Sequence, residues 1–148
     1  MSTITQGKSA TASTGNRVVA GAVAGLAGGL VFGLMMGMMG MLPMVGMLVR
    51  QESAAVGFIV HMAISAFVGA VYGLVAGRLA LSWAAAVAGG IIYGIIWWIL
   101  GALIAMPILL GMSQMVLAVG RDQWFSLAGH LVFGIVTALA FIPLSKRL

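Results

Sequence analysis

The chain has 148 residues, 63% of them hydrophobic and 6% charged, with seven Lys or Arg against two acids and a formal net charge of +5. A soluble domain of this size carries about a quarter charged residues, so the composition excludes a water-exposed fold and points to a small polytopic membrane protein. Two acids leave no material for paired-carboxylate chemistry, and the lack of cysteine excludes disulfides, thiolate metal sites and thiol nucleophiles.

Residues 1–17 are polar and lack the apolar core and cleavage site of a signal peptide, so they are expected to form a flexible cytoplasmic tail before a membrane domain at 18–148. Uncharged runs follow at 18–49, 53–77, 79–120 and 123–145. Crossing the hydrocarbon core takes about 20 helical residues, so the second and fourth runs are single spans. The first and third are too long for one straight span, and each contains a proline, Pro43 and Pro107. In both, a span is expected to end near the proline and a re-entrant or interfacial piece to follow, at 43–52 and 107–122. The predicted fold is therefore all-α, an integral membrane four-helix bundle.

The charges mark topology. Four spans place Lys8, Arg17, Arg78, Lys146 and Arg147 on one side, and Arg50 and Arg121 on the other beside Glu52 and Asp122. This bias predicts both termini in the cytoplasm, in the inner membrane of a prokaryote, with Trp83 and Trp124 in the interfacial belts. The basic residues form no run and no helical face, so nucleic acid is not an expected partner.

The chain also repeats itself. Gly28-Gly29-Leu30-Val31-Phe32-Gly33 is echoed by Gly89-Gly90-Ile91-Ile92-Tyr93-Gly94, and each motif reaches another glycine seven residues on, at Gly40 and Gly101. Each half then has its proline, a Gly-Met pair, an Arg near an acid and a span with a histidine near its start. His61 precedes Arg78-Leu79, and His130 precedes Arg147-Leu148, with the same spacing. The reading is two helix-pair repeats, 18–79 and 83–148, related by an axis along the membrane normal. Under that symmetry the second and fourth spans are expected to face each other.

Small residues recur every fourth position: Gly21, Gly25, Gly29, Gly33 and Gly37 on span one, Ser65, Gly69, Gly73 and Gly77 on span two, Ala86, Gly90 and Gly94 on span three. In lipid, helices associate by close backbone approach, so these stripes predict contact faces. His61 and His130 are the ionisable side chains well inside the spans, and an intramembrane ionisable group is a functional-site hypothesis by default. Gly57, Ser65 and Gly69 flank His61, and Ser126 and Gly134 flank His130, at one- and two-turn spacing. That spacing could clear room for a tetrapyrrole, haem b or (bacterio)chlorophyll, on an axial imidazole. The plain alternative is a histidine bonded to a backbone carbonyl or hydroxyl that fixes helix register. Of the twelve methionines, Met35 and Met39 share one helix face and could offer thioethers to Cu(I), though flexible Met equally fills irregular gaps.

Segments such as GLAGGLVFGLMMGMMGMLPM, GFIVHMAISAFVGAVYG and GGIIYGIIWWILGALIAMP resemble a group of small prokaryotic membrane proteins with four spans. The resemblance implies the topology and carries over no activity and no functional residue. The functional expectation is a non-catalytic membrane subunit or scaffold. It contacts lipid and either other membrane subunits or its own copies, and a tetrapyrrole sits on the His pair in an electron-transfer or photosynthetic assembly. The alternative is a transporter or channel for a metal ion or small solute.

Overall fold

The computed structural model describes residues 13–79 and 82–148; residues 1–12, the greater part of the expected tail with Lys8, lie outside them. Four helices are long and apolar enough to cross a bilayer, formed by Thr14–Met38, Ala54–Ala76, Trp83–Leu109 and Arg121–Arg147. Helix is the form such sequences must take, because lipid offers no partner to backbone N–H and C=O groups. Serine side chains start three of the four: Ser13, Ser53 and Ser82 accept from the amides of Asn16, Val56 and Ala85. In the fourth, Gln123 Oε1 accepts from Gly120 N–H at 2.9 Å.

Helix α1 (Thr14–Met38) stops at Gly40, whose φ of +69° a side chain would disfavour. The short α2 (Leu42–Gly46) carries Pro43 in its first turn, where a missing N–H costs nothing, and leads through the 3-10 turn Met47–Val49 to α3 (Ala54–Ala76). The second half differs. Helix α4 (Trp83–Trp97) does not stop at Gly101 but continues as a π-helix over Trp98–Ala105 into α5 (Met106–Leu109), and the turn comes at Gly111 with φ +73°.

Pro107 accounts for much of this. It has no N–H for the carbonyl four residues back, Leu103, and its ring crowds that position. Leu117 N–H donates to Leu103 O instead, at 2.9 Å, so the piece after the proline folds back and closes the gap. Helix α6 (Arg121–Arg147) completes the chain. Asn16 Nδ2 donates to Leu148 O, so the start of α1 and the chain's end share one face.

The repeat is visible in the packing of each helix pair. In the first, Gly29 meets Ser65 and Gly33 meets the His61 ring; in the second, Gly90 meets Gly134 and Gly94 meets the His130 backbone. Gly25 packs on Gly69, and their equivalents Ala86 and Ala138 are both fully buried in one cluster. Pairs α1–α3 and α4–α6 are thus built alike.

The two pairs do not join symmetrically. Helices α1 and α6 pack closely at the centre, while α3 and α6, expected to face each other, barely touch. The reason is a socket. The Phe32 ring lies over Gly129, where an added Cβ would stand inside the ring, and Gly28 lets α1 approach Phe133 and Thr137 of α6. At the repeat-equivalent places the chain has Tyr93 for Phe32 and Val60 for Gly129, and a branched side chain leaves no socket. Gly89, the equivalent of Gly28, meets nothing within 4 Å. Tyr93 instead donates its hydroxyl to Val68 O at 2.6 Å and packs edge-on to Tyr72 and Trp97. The α3–α4 seam is bridged chiefly by aromatic side chains, with the backbones apart.

A candidate ligand cavity between α3 and α4

The open seam encloses a cavity of about 290 Å³. Phe32 and Met36 of α1 and His130 and Phe133 of α6 line its depth. Ile64 and Phe67 of α3 and Ala105 and Leu109 of the α4–π–α5 helix also line it and are exposed, forming two lips. Those lips are exposed and largely apolar, so the cavity opens at the outer surface of the bundle. The π-helix supplies one wall through Gly101, Ala102 and Ala105. Irregular helix at a cavity wall is a recurrent feature of functional sites.

Both histidines line the cavity, in different states. His61 Nε2 lies 2.9 Å from Gly29 O, and a carbonyl only accepts, so Nε2–H is the donor and this nitrogen is spent on α1. Ser65 Oγ stands 3.4 Å from the same nitrogen. His130 Nδ1 lies 2.7 Å from Ser126 O, one turn back on its own helix, so its proton is on Nδ1. In the neutral ring the lone pair then sits on Nε2, which has no partner among the described residues. Phe32 stands edge-on to both rings, with centroids 5.2 Å from His61 and 4.9 Å from His130.

The small residues flanking the histidines do not leave empty space. Gly57 is covered by the α2 backbone at Leu42 and Gly46, Ser65 and Gly69 by α1, and Gly134 by α4. Of that set Ser126 and Ser65 line the cavity, beside His130 and His61 respectively. His61 is held through Nε2 and His130 through Nδ1, so the two rings present different nitrogens, Nδ1 and Nε2. Of the two methionines singled out for Cu(I), neither Met35 nor Met39 lines the cavity; Met36, Met41, Met44 and Met106 do. Among the described residues no three His, Cys, Asp or Glu cluster as a metal site would require.

What sequence reasoning missed is the asymmetry of the two rings and the seam beside them. The signal lay in the repeat itself, at the Gly129 and Val60 mismatch directly before each histidine. No family model, no curated protein and no solved structure matches the chain.

Proposed function

We propose that this chain is a non-catalytic integral membrane protein that holds an apolar ligand in the α3–α4 cavity, anchored by His130. One observation carries the reading: in a mostly apolar cavity whose other polar lining side chains are His61, Ser65 and Ser126, His130 has its Nδ1–H fixed on Ser126 O and its Nε2 without a hydrogen-bond partner among the described residues. An acceptor that faces an apolar cavity without a donor is poorly solvated, and a ligand supplying that donor recovers the lost hydrogen bond. The cavity fits the general form of small-molecule sites, apolar walls with very few placed polar groups. The basic residues at the ends of α1, α3 and α6 support termini in the cytoplasm, and the cavity then opens toward the outer half of the membrane.

A tetrapyrrole on His130 alone is the second reading. It is favoured by the Nδ1–H bond to a carbonyl, which orients an imidazole for ligation and raises its basicity. Size argues against it: about 290 Å³ lies just below the range of typical small-molecule sites, roughly 300–1,000 Å³. A four-ring macrocycle would have to part α3 from α4.

The test is the ligand content of protein purified in mild detergent, by solvent extraction, mass spectrometry and absorbance. The expected result is one small apolar molecule per chain, lost in His130→Ala and kept in His61→Ala, with no Soret band. A Soret band that vanishes in His130→Ala would move the assignment to the tetrapyrrole. A well-folded wild type that carries no ligand and takes none up would end both readings.

A further inference from the structure

We infer that the ligand is a lipophilic hydroquinone or phenol, a single substituted aromatic ring with an apolar tail, whose hydroxyl donates to His130 Nε2. This rests on the cavity reading above and goes on to name the chemical class.

Four observations narrow the choice. The first is volume: an apolar cavity of about 150 Å³ holds one benzene, so the 290 Å³ here accommodates one ring with several substituents. The second is polarity. No Lys, Arg, Asp or Glu lines the cavity, so the ligand is uncharged; His61, Ser65 and Ser126 are the other polar lining side chains, and at His130 the Nε2 lone pair calls for a hydrogen-bond donor. The third is depth. His130 lies six residues beyond Trp124, which is roughly 9 Å along the helix at 1.5 Å per residue. With Trp124 in the interfacial belt, that is within the apolar core and below the level of a phospholipid headgroup. The fourth is the walls: Phe32, Phe67, Trp97 and Phe133 surround the space, and aromatic faces and edges suit a planar ring. An isoprenoid or alkyl tail leaves between the lips at Phe67 and Leu109 into lipid of the same polarity.

The acceptor-only nitrogen makes a sharp distinction within this class. A hydroquinone has a proton to give; the corresponding quinone has only carbonyl acceptors, which would face the His130 lone pair unfavourably. The contact at His130 Nε2 therefore favours the reduced form. Net worth of about 1.4 kcal/mol for one such hydrogen bond corresponds to tenfold in affinity. For a two-electron couple a tenfold preference for the reduced form raises the bound couple's potential by about 30 mV.

The experiment measures binding of three probes to the full chain in nanodiscs, under anaerobic conditions. They are a decyl-substituted dimethoxy-methyl hydroquinone, its quinone, and its bis-O-methyl ether, which keeps the ring but has no donor. The expected result is about tenfold tighter binding of the hydroquinone than of either other probe. His130→Phe should bring all three within twofold of each other. His130→Gln, whose amide both accepts and donates, should keep the hydroquinone's affinity while raising that of the quinone, which separates the hydrogen bond from any effect on folding. Equal binding of the three probes by wild type would overturn the proposed class, yet leave the cavity as an apolar site. Absence of binding by all three would overturn the class, while the ligand content of the purified protein decides the parent reading separately.

Discussion

Two glycine-to-alanine changes, chemically identical, should differ in effect because of where each Cβ points. At Gly25 an added Cβ would come 2.6 Å from Gly69 Cα, and the neighbouring atoms are backbone that cannot swing aside. Carbon atoms pack at about 3.5–4.0 Å, so α1 and α3 must part by roughly 1 Å. Such a gap forfeits a quarter to a half of each contact's attraction. With roughly 30 atom pairs at 0.1–0.2 kcal/mol each, the loss is about 1–3 kcal/mol. That lies within the usual 1–3 kcal/mol cost of overpacking, and the rigidity of the backbone places it at about 2 kcal/mol. Gly89 meets nothing within 4 Å, so Gly89→Ala adds no clash and gains only the better helix propensity of alanine, about 1 kcal/mol. Because both variants share that gain, their difference isolates the packing loss. Thermal unfolding in one detergent, followed by far-UV circular dichroism, should place the Gly25→Ala midpoint about 4–8 °C below that of Gly89→Ala, at 2–4 °C per kcal/mol. Midpoints within 1 °C of each other would refute the claim that close backbone contact holds α1 to α3.

Val60→Gly gives Tyr93 a socket like the one Phe32 occupies over Gly129; spin labels on exposed positions of α3 and α4 should then move closer by several ångströms, with ligand lost from the cavity. Unchanged label distances would mean that the Val60 side chain is not what keeps the seam open. Pro107→Ala restores the amide that Leu103 O lacks, so the π-helical stretch should relax toward α-helix and release Leu117. The readout is hydrogen exchange at the Leu117 amide, expected to speed at least tenfold, since about 1.4 kcal/mol of lost protection is a factor of ten; unchanged protection would exclude this link.

Much of the fold was legible because its causes are local. The four spans follow from the apolar runs, and the two helix pairs follow from small residues at four-residue spacing. The candidate site was half legible. His61 and His130 stood out as ionisable groups in an apolar chain, and both do line one cavity. Their difference was not legible, because it depends on what lies across from each ring: Gly29 O for His61, and the ring's own helix for His130. Nor did sequence spacing reveal that Gly57, Gly69 and Gly134 are covered by neighbouring backbones. A glycine stripe announces close approach and not which surface does the approaching. The π-helix escaped for a similar reason: the hydrogen bond from Leu117 that supports it spans fourteen residues of irregular chain.

The socket over Gly129 bears on why the two helix pairs share one chain. Two separate copies of a single pair, assembled about a twofold axis, would present the same surface to each other twice, so both seams would close or both would gape. Joining the copies covalently removes that constraint: each half is free to drift, and the bundle can assign opposite duties to equivalent positions. A glycine in one half lets the bundle close at Phe32, while its counterpart in the other half, Val60, offers no such socket. On this view the duplication matters less for making four spans than for permitting them to be unequal.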